Sequence, residues 1–248
     1  MAGRRERSLA ERDDSLEDER SDDPESNQKS NDSLNNRLSE TTDMSLLHDS
    51  RFRTVARASG AAAPVVTLGA ILVSTLLSPT FSWADSALSD LGRAGAPTAP
   101  IFNGGLILGA ILALPYVARV ALAAERLLTR LGAATFGLAA LSMGLVGVFP
   151  TGTAYHFPAA VSLYLFVTYG LFLYGSGRVR AGAARGQIET TTAGLAAIWL
   201  GVGHLTSWLA WGAGLRVGPG LAIPETVGAA IFVAWIRLSW PLATEDAA

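Results

Sequence analysis

GAAAPVVTLGAILVSTLLS, residues 60–78, runs for nineteen residues without a charge. An α-helix rises ~1.5 Å per residue and needs roughly 20 mostly apolar residues to cross a hydrocarbon core ~30 Å thick. The stretch therefore predicts a membrane-spanning helix. Five more follow, at about 100–118, 131–149, 157–176, 191–212 and 223–240, none charged in its middle third. Strand alternation is absent, which disfavours a membrane β-barrel. Buried helices of a soluble domain would need amphipathic partners to cover them, and none occurs outside the first fifty residues. The expected fold is all-α: a polytopic bundle of six transmembrane helices over 56–241.

Composition divides the chain in two. Of 248 residues, 50% are hydrophobic and 16% charged, with a mean hydropathy of +0.32. Residues 1–50 carry seven Lys/Arg and fourteen Asp/Glu, whereas the remainder carries twelve and seven. The segment 1–55, nearly devoid of aromatic and β-branched residues, is expected to be a disordered acidic tail. A second short tail covers 242–248, and Met44 offers an alternative start. The absence of cysteine excludes disulfides, thiolate metal sites and cysteine nucleophiles.

Arginine placement predicts orientation, because basic residues near span ends stay on the cytoplasmic side. Arg51, Arg53 and Arg57 precede the first span. Arg119, Arg126 and Arg130 lie between spans two and three, Arg178, Arg180 and Arg185 between four and five, and Arg237 near the end of six. The opposite side has only Arg93 and Arg216. Both termini are thus expected in the cytoplasm, with the protein in the cell membrane. Phe81, Trp83, Phe149, Tyr155, Phe157, Trp208 and Trp211 would form the outer aromatic belt, and Tyr116, Tyr174 and Trp240 the inner one. Gly105 and Gly109 in GLILG form a small-xxx-small pair suited to close helix packing.

The polar residues then gather toward the outer half. FSWADSALSDLG, residues 81–92, lies in the first outer loop with Ser89 and Asp90. Asn103 opens span two, His156 precedes span four, and Glu225 opens span six. His204 sits in span five, on one stripe with Ser207, Trp208 and Trp211 at i, i+3, i+4 and i+7. Ionisable groups at membrane depth are costly and usually face a bundle interior or a wet cavity. Ser89, Asp90, Asn103, His156, His204, Ser207 and Glu225 are therefore candidates for one outward-facing pocket. Each also has a structural role open to it. Asp90 and Ser89 can cap a short interfacial helix, Glu225 suits a helix N-terminus behind Pro224, and Asn103 and the histidines can hydrogen-bond between helices.

ALSDLGRAGAPTAPIFNGGLILG, GVFPTGTAYHFPAA and GLAIPE together resemble the "domain of unknown function 998" family of archaeal and bacterial multi-pass membrane proteins, particularly its haloarchaeal members. The similarity runs from about residue 60 to 240. It implies six helices and a membrane location, and it implies no activity.

Three functions remain open on the sequence alone. The first is a protein binding a lipid headgroup or other small ligand in the outward pocket, with membrane lipids as partners. The second is a lipid-active hydrolase of the outer leaflet, with zinc on Asp90, His156 and His204 and Glu225 as general base, or with Ser89 or Ser207 as nucleophile. No H-E-x-x-H pair supports it. The third is a small-solute transporter, for which Pro115 and the glycine-rich spans offer places to interrupt helices. Nucleic-acid binding is not expected: the arginines stand singly at span ends and the tail is acidic.

Overall fold

The computed structural model describes residues 50–215 and 220–244, together with Gln28, Lys29, Asn31 and Ser33. Contacts divide the chain into two units, Met1–Leu46 and Leu47–Ala248. In the first, the four described residues are helical. The tail expected over 1–55 lies outside the described residues but for these four and for 50–55, which are helical. Arg216 and the last four residues also lie outside.

The second unit contains six long helices and, among the described residues, no strand. They are α1 (Ser50–Leu77), α2 (Ala99–Ala123), α3 (Leu127–Val148), α4 (His156–Arg185), α5 (Ile188–Gly212) and α6 (Ala222–Thr244), with a 3-10 helix at Leu88–Gly92. All six are long and apolar enough to cross a membrane. Large apolar side chains such as Val65, Leu72, Leu76, Trp199 and Leu209 face outward. Water would penalise that much contiguous apolar surface, whereas lipid accepts it. The chain is a multi-pass membrane protein.

Two boundaries differ instructively from the apolar runs. The helix α1 has 28 residues and α4 has 30, lengths of roughly 42 and 45 Å against a core of ~30 Å. Helical hydrogen bonding does not stop where apolar residues stop, and arginine is a good helix former. Thus Arg51, Arg53 and Arg57 belong to α1, and Arg178, Arg180 and Arg185 to α4. Arg119, expected in a loop, lies within α2 and is 1% exposed. Pro115 does not interrupt α2.

Helices adjacent in sequence pack side by side from α1 to α5, and α6 packs against α1, α2, α4 and α5. Between α1 and α2 the approach is set by glycines. A side chain at Gly105 would collide with Ala70 Cβ, and one at Gly109 with Thr67 Oγ1. The small-xxx-small pair therefore sets that spacing. Against the arginine-bearing turns, α6 inserts Trp235 into a buried aromatic cluster with Tyr116, Phe136 and Tyr174. At the opposite end, a second core gathers Ile71, Leu88, Leu91, Phe102, Leu106, Met143, Val146 and Ala222. There the connection 78–98 folds back over the helix ends.

Candidate functional site

The connection 78–98 is a lid, and its 3-10 helix is held at both ends by other parts of the chain. A short helix leaves its first N–H groups and last carbonyls unpaired. Here the Leu88 N–H donates to Glu225 Oε2 at 2.5 Å, and the Ser89 amide faces the same carboxylate. The Ser89 carbonyl accepts from Thr151 Oγ1 at 2.8 Å, the Leu91 carbonyl from Thr98 Oγ1 at 2.7 Å, and the Gly92 carbonyl from Asn103 Nδ2 at 2.8 Å. Gly92 has no room for a side chain, because a Cβ there would run into Asn103 Oδ1. Backbone bonds add a further seam: the Gly220 N–H donates to the Ala84 carbonyl, and the Leu221 and Ala222 N–H groups to Ser86. Trp211 Nε1 donates to the Gly220 carbonyl at 2.9 Å. Phe81 and Trp83 meet edge to face on the lid's outer part, with Trp83 half exposed.

Beneath the lid lies a cavity of about 70 Å³. Its walls come from α1, α2, α3, α4 and α6, chiefly through apolar residues such as Ile71, Phe102, Leu106, Met143 and Val167. Glu225, Ser89, Tyr164 and Thr67 supply its polar corner. Glu225 is 9% exposed and faces two amides of the lid, those of Leu88 and Ser89. The Tyr164 ring lies against Trp208 and His204 on the cavity wall. A second void of about 30 Å³ shares Thr67, Met143, Ala229 and Phe232 with the first, and reaches Pro64 and Leu68 on α1. Since Leu68 is exposed, the pair of voids leads from Glu225 toward the lipid-facing seam between α1 and α6.

The seven polar residues expected in one pocket separate into distinct roles. Only Ser89 and Glu225 line the cavity. Asp90 is used within the lid: Oδ2 accepts from the Ala87 N–H at 2.9 Å and Oδ1 pairs with Arg93 at 2.6 Å. Asn103 holds the lid, as above. His156 braces the α3–α4 turn, with Nδ1 on the Phe149 carbonyl at 2.8 Å and Nε2 3.3 Å from Thr151 Oγ1. Ser207 donates to the His204 carbonyl one turn back.

His204 is fully buried and fully occupied. Trp208 Nε1, a donor only, reaches its Nε2 at 3.3 Å, so Nε2 accepts and Nδ1 carries the proton. Nδ1 then donates to Thr168 Oγ1 at 2.8 Å, which donates onward to the Tyr164 carbonyl. A side chain at Gly228 would come within 3.2 Å of His204 Nε2, which places the imidazole beside α6 one turn below Glu225.

The zinc set expected from Asp90, His156 and His204 does not assemble. Among the described residues, no three His, Asp or Glu side chains are grouped to hold a metal ion. Each of the three is drawn to nearer partners: Asp90 to Arg93, His156 to its own turn, and His204 to α4. Sequence depth located these residues along the membrane normal but not around the helix axes. Tyr164, Thr168 and Thr151 were missed. The available signal was Tyr164 and Thr168 at i and i+4, a polar pair on one face of an apolar span.

Neither a curated protein nor a solved structure matches the chain. A family model does, over residues 61–239, which reaches from α1 to α6 and includes the lid: the chain belongs to the family described as protein of unknown function (DUF998).

Proposed function

We propose that this protein binds a membrane amphiphile, with the polar head under the lid and the tail leaving between α1 and α6. The observation that carries this reading is the pairing of a buried carboxylate, Glu225, with a tyrosine, Tyr164, on the wall of an otherwise apolar cavity. A carboxylate offers about four acceptor positions, more than the two lid amides at Glu225 can fill, so the head must donate a hydrogen bond, as a hydroxyl or ammonium group does. The cavity is small, which suits a compact head and its first few methylenes. The rest of the chain would pass Ala229 and Phe232 into the second void and on to lipid.

Replacing Ala229 by phenylalanine fills the junction of the two voids without touching any group that holds the lid. Native mass spectrometry of the protein released from mild detergent is expected to show a bound amphiphile in the wild type. Its occupancy should drop about tenfold in Ala229→Phe, equivalent to ~1.4 kcal/mol of lost affinity. Tyr164→Phe should weaken it less, because Glu225 remains. An empty wild-type protein, or equal occupancy in Ala229→Phe, overturns the reading.

On this reading the lid faces outward and both termini lie in the cytoplasm. Support comes from Arg126 and Arg130 around the α2–α3 turn and Arg178, Arg180 and Arg185 at the end of α4, against Arg93 at the lid end. The chain lacks cysteine, so single introduced thiols report cleanly. A cysteine at the exposed Thr153 should react with impermeant maleimide in intact cells, and one at the exposed Arg130 should not. The reverse pattern would invert the protein.

A further inference from the structure

We infer that the arginine end of the bundle holds a second site, built for a phosphate group and independent of the cavity under the lid. A cavity of about 40 Å³ lies between the α2–α3 turn, α4 and the end of α6, lined among others by Glu125, Arg126, Thr129, Arg178, Arg185 and Leu242. Three guanidiniums and one carboxylate share this wall. The carboxylate is already engaged, because Arg185 Nη2 donates to Glu125. Among the described residues, no carboxylate lies at ion-pair distance from Arg126 or Arg178. Arg178 adds a second observation: its Nε is sealed from solvent and has no acceptor. A buried guanidinium donor left unpaired is costly, and the usual remedy is an oxygen acceptor.

Two uncompensated positive charges, a buried donor lacking an acceptor and the buried Thr129 define the chemistry of the missing partner. It is anionic and carries several acceptor oxygens in a compact array. Phosphate meets that description, and guanidinium forks bind phosphate oxygens in pairs. Placement agrees, since the last turns of α4 extend beyond the hydrocarbon core to the depth of lipid headgroups. Arginines serving orientation alone would need neither a shared cavity nor a buried donor aimed at nothing. The phosphate comes either from an anionic lipid headgroup or from solution.

The test uses the full chain in nanodiscs of equimolar phosphatidylglycerol and phosphatidylcholine, with native mass spectrometry reading the ratio of the two lipids retained. The wild type should be enriched in phosphatidylglycerol. Arg126→Gln and Arg178→Gln should each lower the ratio about fivefold, the effect of one arginine at a headgroup. Arg180→Gln, on the exposed side of α4, should stay within about twofold of wild type, because it does not line the cavity. In detergent, inorganic phosphate that protects the wild type but not the two variants from heat identifies free phosphate as the ligand. Lipid enrichment without such protection identifies the headgroup. The site is overturned if Arg180→Gln loses as much as the others, or if Arg126→Gln and Arg178→Gln behave as wild type in both assays. Arg126 is exposed, so its variant carries the test alone should Arg178→Gln fail to fold.

Discussion

Replacing Glu225 by alanine is expected to unfasten the lid and to lower stability in detergent by about 3 kcal/mol, the scale of a lost hydrogen bond to a charged group plus the stranded buried donor. The Leu88 N–H loses its acceptor, and the Ser89 amide loses the carboxylate it faces. Glu225→Gln keeps an oxygen at the same place, so it should cost nearer to about 1 kcal/mol. The lid would loosen rather than detach, because Asn103, Thr151 and the backbone seam at residues 84–86 remain. Hydrogen exchange across 84–92 should therefore quicken strongly in Glu225→Ala, weakly in Glu225→Gln, and hardly at all at the aromatic core around Trp235. Unchanged exchange in that segment of Glu225→Ala would mean the carboxylate does not hold the lid. Thermal melts separate this structural role from ligand recognition, since Ala229→Phe leaves every lid bond in place.

The architecture was legible because a bilayer imposes a single length requirement on apolar helices, and each of the six runs meets it. Helix ends were less so. The pattern of apolar residues reports where lipid begins, not where the backbone stops hydrogen bonding, so Arg119 and Arg178 were assigned to loops that the helices overrun. For the polar residues, sequence gave height without azimuth. His204 and Glu225 lie within one turn of each other in height, yet His204 points to Thr168 on α4 while Glu225 points to the lid. The aspartate in SDLG looked like a pocket wall, but Arg93 three residues later neutralises it within the lid. Tyr164 was hidden by its type: a tyrosine in an apolar span is ordinarily a packing or interfacial residue, and only tertiary contacts show it lining a cavity beside Glu225.

Trp235→Ala should give the largest loss of stability of any single change in the bundle, about 3 kcal/mol or more. The ring is fully buried, stacks on Phe136 with centroids 3.8 Å apart, and meets Tyr116 and Tyr174 edge to face at 6.1 and 5.9 Å. In a membrane the cost has a different origin from that in a water-soluble core. Lipid is as apolar as the site, so no transfer energy from water is lost; what disappears is dispersion contact with rings of α2, α3 and α4 across a void too well braced to close. Trp235→Phe isolates that component. It keeps a ring against Phe136 and removes the indole Nε1, which is buried without an acceptor. Shedding an unsatisfied donor offsets part of the lost volume, so Trp235→Phe should cost only about 1 kcal/mol. The damage from alanine should also reach the Tyr116 hydroxyl, which bonds the Ile236 carbonyl at 2.7 Å and lies 2.9 Å from Ser239 Oγ. These bonds require α6 to stay seated beside α2. A double-mutant cycle between Trp235→Ala and Tyr116→Phe should then be non-additive by at least ~0.5 kcal/mol. Strict additivity, or a loss for Trp235→Ala no larger than for Trp235→Phe, would show that α6 is held by its ends rather than by this cluster.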